Sequence, residues 1–267
     1  MTIGTNTLNH SSVRVSGLKK SFPVTQNGQT TLQEVLCGID LDVAPGEFVS
    51  FFGPNGCGKT TFLTILAGLI EPNEGSISIN SSGPGQSRIG FIFQNYRESL
   101  YPWLCNIDNI AFPLELHGVS KKDRRGQARQ ILEKLGLELP HNGYPYQLSG
   151  GQQQLLSIAR ALIFNADVLV MDEPFASLDY STRFSIRDRV QDIWMRTKTT
   201  TLFVSHSIEE AIYLSDRLVL FSQKPMRIIK EIPIPLPRPR QASVLEHEDF
   251  YRIQAHALKI FNEEMSR

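Results

Sequence analysis

Short apolar runs alternate along this chain with stretches whose apolar residues recur three and four positions apart. The runs at 47–52, 168–171, 200–204 and 217–221 are strand-sized and mostly apolar, which predicts buried strands. Further strands are predicted at 13–15, 36–43, 75–80 and 88–93, with a loop at 81–85. Helical spacing takes over elsewhere. A helix is predicted from Thr61 to its stop at Gly68, and mostly helical structure from Asn106 to about Ala161. There Ile107, Ile110, Ala111 and Leu114 share one face, and Ile131, Leu132 and Leu135 another. Ser149 is placed to cap a helix over 152–162. One more helix is predicted at 181–196, and Phe250, Ile253, Ala257 and Phe261 mark a last amphipathic one. Strands alternating with helices in this way predict an α/β domain. The charge run at 121–125 reads as a solvated helix start. The proline-rich stretch at 232–239 reads as an extended or looped connector.

Glycine and lysine bring chemistry into this frame. Residues 53–60 read Gly53-Pro54-Asn55-Gly56-Cys57-Gly58-Lys59-Thr60, a complete G-x-x-x-x-G-K-[ST] phosphate loop. It lies between a predicted strand and a predicted helix, where backbone N–H groups and a helix N-terminus form an anion cradle. Lys59 is suited to the β- and γ-phosphates, and the Thr60 hydroxyl to Mg²⁺.

Two other segments complete the picture. The run at 168–171 ends in Asp172 and Glu173. A carboxylate at the end of a strand can hold Mg²⁺, and the next one, pointing elsewhere, can polarise an attacking water. Ser149-Gly150-Gly151-Gln152 places a hydroxyl and bare backbone at a helix N-terminus, a second anion-binding feature. Two such features about 90 residues apart in one chain suggest a composite site built between two subunits.

Charge narrows the partners. Twenty-seven basic and 27 acidic residues cancel, which argues against a broad nucleic-acid-binding face. Three cysteines, Cys37, Cys57 and Cys105, lack metal-ligand spacing and suit reduced cytosolic thiols. Alkylation of Cys57, inside the loop, is expected to hinder nucleotide entry, although a small residue that fits the loop accounts for its presence. Residues 1–12 are polar and do not read as a secretory signal. No apolar run approaches the ~18 residues of a membrane-spanning helix, so a membrane path would have to come from other chains.

With these motifs in order, the chain resembles the nucleotide-binding subunit of ATP-binding-cassette (ABC) transporters over nearly all of residues 12–225. Gly53–Thr61 matches the phosphate loop, Gln94 the Q-loop, 148–152 the signature and 168–173 the Walker B strand. Ser177-Leu178-Asp179 matches the D-loop, His206 the switch histidine, and Phe22 the aromatic that stacks on adenine. The resemblance implies an ABC-type P-loop ATPase: a RecA-like core, an antiparallel β subdomain and a helical subdomain inserted at about 95–160. Residues 226–267 would form a C-terminal extension. It implies ATP and Mg²⁺ as ligands, with Gly53, Asn55, Gly56, Cys57, Gly58, Lys59, Thr60 and Thr61 around the phosphates. Thr60, Gln94 and Asp172 would support the metal, Glu173 would be the general base, and His206 would contact the γ-phosphate. Ser149, Gly150, Gly151, Gln152 and Asp179 would act on ATP bound to the partner of a head-to-tail dimer. Leu155 stands where many relatives carry arginine, which is expected to alter a local surface contact.

The same resemblance implies partners: transmembrane permease subunits, a second ATP-binding subunit, and indirectly a periplasmic or lipid-anchored solute-binding protein. The location implied is the cytoplasmic face of the inner membrane, with no nucleic acid involved. Tyr96, Leu100, Tyr101, Pro102 and Trp103, just after Gln94, are expected either to receive a coupling helix of the permease or to pack internally. The 101–104 segment, the 109–116 helix and the 236–240 stretch resemble importers of nitrate, sulfonate and taurine. A soluble ABC ATPase acting on nucleic acid or ribosomes is the alternative, but such chains usually carry two cassettes or a long coiled-coil insertion. A non-catalytic nucleotide-binding module is a third reading, opposed by the intact Lys59, Asp172, Glu173 and His206.

Overall fold

The computed structural model of the chain describes residues 12–26, 28–81 and 87–266. The reading of residues 1–12 therefore lies, but for Ser12, outside the described residues, as does most of the loop expected at 81–85.

Five parallel strands make the core: β3 (Phe48–Phe52), β5 (Ile89–Ile92), β6 (Val168–Asp172), β7 (Thr200–Val204) and β8 (Arg217–Phe221). An antiparallel edge strand, β9 (Ile228–Pro233), completes a sheet of order β5-β6-β7-β3-β8-β9. Every residue of β3, β6 and β7 is buried, as expected of strands covered on both faces. Alternate residues supply two separate cores. Leu169 and Met171 of β6 face one side with Phe48, Phe203 and Leu220, whereas Val168 and Val170 face the other with Phe51, Val204 and Phe221. On the second side Phe51, Phe62 and Phe221 pack ring against ring at 5.5–5.9 Å.

Helix α1 (Lys59–Leu66) and a three-stranded antiparallel sheet of β1 (Val13–Gln26), β2 (Gln29–Val43) and β4 (Glu74–Ile79) cover the second core. The first core is covered by α3 (Asn106–Leu116), α4 (Lys121–Leu135) and α5 (Gly150–Leu162), with the short α2 (Tyr96–Ser99) held against α5 through Arg160 and Ser99. It also receives α6 (Tyr180–Thr197), α7 (Ile208–Leu214) and α8 (Glu248–Met265). The layered α/β core, the antiparallel sheet and the inserted helices have the architecture expected.

Three details differ from the sequence reading. The hairpin β1–β2 runs far beyond 13–15 and 36–43, because Gln29–Glu34 of β2 is exposed and carries no apolar run; cross-strand pairing from Ser21↔Glu34 to Gln26↔Gln29 holds it instead. The proline-rich stretch is partly strand, β9 pairing antiparallel with β8, so residue 225 falls inside that hairpin. Pro233 ends this strand at the sheet edge, where a missing N–H is tolerated. The charge run at 121–125 is more than a solvated start. Arg125 reaches back to Asp108 through two hydrogen bonds, at 2.6 and 2.5 Å, and Arg124 pairs with Glu115 at 2.9 Å, so both arginines tie α4 to α3.

Candidate active site

The phosphate loop closes on its own lysine. Lys59 Nζ donates to Gly53 O at 2.9 Å and Pro54 O at 3.0 Å, so the ammonium is held against the loop backbone at the start of α1. Gly58 joins loop to helix with φ 127°, and a Cβ there would lie 2.9 Å from Val35 Cγ1; only glycine meets both demands. Cys57 turns the other way. Its thiol is buried 3.8 Å from the Met226 sulfur, and that burial raises its pKa. The position is thus filled by a small buried side chain, poorly exposed to an alkylating reagent.

A cleft of about 430 Å³ opens over the loop, lined by Asn55, Gly56, Gly58, Lys59, Thr60 and Thr61 together with Phe22, Gln94 and Glu173. Val35 and Lys224 also line it, and both escaped the sequence reading. Their approach depends on the long β1–β2 hairpin: Lys224 Nζ donates to Gln33 Oε1 at 3.0 Å, and no motif in the chain signals that contact. Phe22 sits on β1 opposite Gln33, with Lys20 Nζ 5.1 Å from its ring centroid.

Asp172 ends β6, nearly inaccessible, and accepts a 2.7 Å hydrogen bond from Thr60 Oγ1. Burial pushes its carboxyl pKa up; the Thr60 bond opposes this, Glu173 adds to it and Lys59 opposes it. Glu173 leaves the sheet in the left-handed region, φ 46°, with its N–H donating to Val204 O at 3.0 Å. A non-glycine residue held there is strained, and the turn aims its side chain into the cleft. Its Oε2 accepts from Gln94 Nε2 at 3.1 Å and lies 3.2 Å from His206 Nδ1. Gln94, Glu173 and His206, from three distant parts of the chain, thus meet at one carboxylate oxygen.

The signature lies elsewhere. Ser149 caps α5, accepting from Gln152 N at 3.3 Å while Gln152 Oε1 accepts from Ser149 N at 3.0 Å, a reciprocal capping box. Gly151 is pressed on α6: a Cβ there would stand 2.9 Å from both Ile186 Cδ1 and Thr182 Cγ2. Asp179 caps α6, accepting from Thr182 N at 3.0 Å and Ser181 Oγ at 2.8 Å, and these bonds hold its carboxyl well below the usual range. Among the described residues lining the cleft, none belongs to 149–152. The candidate residues therefore form two groups: the cleft group around Lys59 and Glu173, and the α5–α6 group of signature and D-loop.

Leu155, expected to alter a surface contact, is buried in the helical core instead. Of the segment after Gln94, Leu100 is buried, Tyr101 packs 4.4 Å from Phe112, and Trp103 is 71% exposed. Among the described residues no cluster of His, Cys, Asp and Glu could hold a metal unaided, and no helix is long and apolar enough to cross a membrane.

Residues 36–176 match the family model described as "ABC transporter". The chain belongs to the ABC transporter family. It is an ATP-binding cassette, and an ATPase. It is 40% identical to the aliphatic sulfonates import ATP-binding protein of Bacillus subtilis, with 94% of each chain covered. It is 42% identical to the taurine import ATP-binding protein of Chromobacterium violaceum over 77% of this chain and 79% of that one. Among solved structures, the cassette is similar to the dimeric ATP-binding cassette MJ0796 in a post-hydrolysis state with ADP and Pi. That likeness has a TM-score of 0.68 at 29% identity and covers 84% of this chain and all of the other.

Proposed function

We propose that this cassette hydrolyses ATP to drive import of a small anion, of the nitrate, sulfonate or taurine kind, through a separate membrane permease. The observation that carries the reaction is the meeting of Gln94 and His206 at the Glu173 carboxylate, with Gln94 and Glu173 lining the phosphate-loop cleft. The solute class is inferred from the relatives' names and from the 101–104, 109–116 and 236–240 segments, none of which would touch a solute.

Phosphoryl transfer to water asks the protein for positioning and charge stabilisation. Lys59 and the backbone of residues 53–61 would hold the β- and γ-phosphates, and Phe22 would stack on adenine. The Thr60 hydroxyl, the Asp172 carboxylate beside it and the Gln94 amide are hard oxygen donors, a set suited to Mg²⁺ shared with phosphate oxygens and water. When bound, Mg²⁺ would supply neutralisation of phosphate charge. Glu173 would accept the proton of the attacking water, while His206 would hold the γ-phosphate side of the cleft.

Ser149, Gly150, Gly151, Gln152 and Asp179, away from the cleft, would complete the site of a second cassette in a head-to-tail dimer. Residues 12–225 would act as the nucleotide-binding unit, with 95–160 as its helical subdomain and 226–267 as an extension. Exposed Trp103 would contact the permease at the cytoplasmic face of the inner membrane, and a solute-binding protein would act from the far side.

Affinity purification of the tagged chain from gently solubilised native membranes tests this. A stoichiometric polytopic membrane protein, co-purifying with a second cassette, is the expected result. Recovery of ribosomes or soluble chains alone, across several detergents, would replace transport by the nucleic-acid reading.

A further inference from the structure

The two groups of site residues are joined inside the chain by a line of side chains that no step above uses. It begins at the His206 loop. Ser205 Oγ donates a buried 2.6 Å hydrogen bond to Glu210 Oε2, and Ser207 N donates to Ser205 Oγ at 3.0 Å. Glu210 N in turn donates to Ser207 Oγ at 3.3 Å. Both neighbours of His206 are thereby fixed to Glu210, a carboxylate only 7% exposed.

From Glu210 the line crosses to α6. Arg183 Nε stands 3.7 Å from Glu210 Oε1, and Arg183 Nη2 donates to Leu178 O at 3.2 Å. Leu178 precedes Asp179, the cap of α6. A distance of 3.7 Å is an ion pair but too long for a hydrogen bond, and Arg183 Nε has no hydrogen-bond partner. A cavity of about 90 Å³ borders Arg183, Glu210 and Ser207, which leaves room for the guanidinium to close on the carboxylate. One turn along, Arg187 borders the same cavity and is more deeply buried: it lies 3.5 Å from the Tyr213 ring centroid and pairs with Glu209 at 3.4 Å, while its Nε and Nη2 also have no hydrogen-bond partner. Arg187 thus joins α6 to α7, whereas Arg183 alone spans both Glu210 and the Leu178 carbonyl.

We propose that Arg183 and Glu210 are positioning residues that couple the His206 loop to the D-loop, so that nucleotide in the cleft sets the placement of Asp179. The inference rests on the roles proposed above for His206 and Asp179. A shift of the His206 loop moves Ser205 and Glu210; the Arg183 contact tightens or loosens, and its hold on Leu178 O carries the change to the D-loop. Glu210 is buried, and a buried carboxylate that loses its ion-pair partner is costly, which ties its position to that of Arg183.

Steady-state ATPase of the full chain with single and paired substitutions supplies one test. Arg183→Met and Glu210→Gln should each lower kcat by about tenfold with the KM for ATP changed less than about twofold. Together they should cost no more than one alone, as members of a unit do. Multiplicative losses of about a hundredfold would overturn the coupling. Hydrogen exchange gives a readout independent of turnover. With Mg-ATP, the wild-type chain should gain protection at both 203–208 and 175–182, and Arg183→Met at 203–208 alone. Retained protection at 175–182 in Arg183→Met would overturn the proposal. Absence of protection at 203–208 in the wild type would overturn the role of His206, and the relay with it.

Discussion

Thr60 Oγ1 donates a 2.7 Å hydrogen bond to Asp172 Oδ2, joining the first turn of α1 to the end of β6 across 112 positions of sequence. The bond sits in a poorly solvated place, where burial raises the Asp172 pKa. A carboxyl raised on folding favours the fold while protonated, below its ordinary value of 3.8. That benefit is lost as pH rises through the folded value. At neutral pH the charge therefore opposes folding of the nucleotide-free chain. Asp172→Asn keeps an acceptor for Thr60 and removes the charge. It should raise the melting temperature at pH 7, while lowering ATPase by about 10²–10³-fold. A fall in melting temperature would show that the charge is compensated within the chain.

Glu173→Gln preserves an acceptor oxygen for Gln94 and the side-chain shape needed at φ 46°, but cannot take a proton. ATP affinity should stay within a few-fold of the wild type. Turnover should fall by about 10²–10⁴-fold, the range for a general base. Binding of a fluorescent ATP analogue and phosphate release measured on one preparation separate the two. Turnover within about tenfold of wild type would remove Glu173 as the base.

Much of this site could be read from local pattern. The phosphate loop, the strand ending at Asp172 and the Ser149 cap each rest on residues close in sequence, where spacing dictates geometry. What escaped was non-local. Lys224 reaches the cleft from the β8–β9 connection, its Nζ donating to Gln33 Oε1, and Val35 is a buried residue of β2 next to the exposed 29–34 stretch; an exposed strand leaves no hydrophobic signal. The β8–β9 pairing passes through proline-rich sequence that reads as loop. The arginine that many relatives carry at position 155 suggests a surface contact, but α5 is buried along much of its circumference, Leu155 included, and the resemblance carries no signal of that burial.

Gly151→Ala separates two uses of the signature glycine. The added methyl would meet Ile186 Cδ1 and Thr182 Cγ2 at 2.9 Å, so α5 and α6 must part or repack. Overpacking of this kind costs about 1–3 kcal/mol, which should lower the urea midpoint of the nucleotide-free chain. Shortening the neighbours, with Ile186→Val and Thr182→Ser in the same chain, should restore part of the loss. An unchanged midpoint in Gly151→Ala would mean that the helices yield freely and that the position matters only toward nucleotide.

Asp108 and Arg125 give the helical layer a pH dependence of known sign. Arg125 donates to both Asp108 oxygens, and Cys105 Sγ adds a 3.1 Å contact. With Arg125 as the main cause, burial opposing it and Cys105 assisting, the Asp108 pKa falls from 3.8 to about 2. A carboxyl lowered on folding stabilises the fold above its ordinary value, and that contribution is lost as pH falls through the folded one. The pair is partly solvated, with side chains 17% and 30% exposed, so the contribution is on the order of 1–2 kcal/mol. Asp108→Asn should therefore be less stable than wild type by about that amount at pH 7, and by nearly as much at pH 5. The gap should narrow from about pH 4 downward and largely close near pH 2. Urea midpoints of both chains at pH 7, 5, 4 and 3 follow it directly. A gap that stays constant down to pH 3 would assign the loss to packing around α3 and α4 rather than to the ion pair.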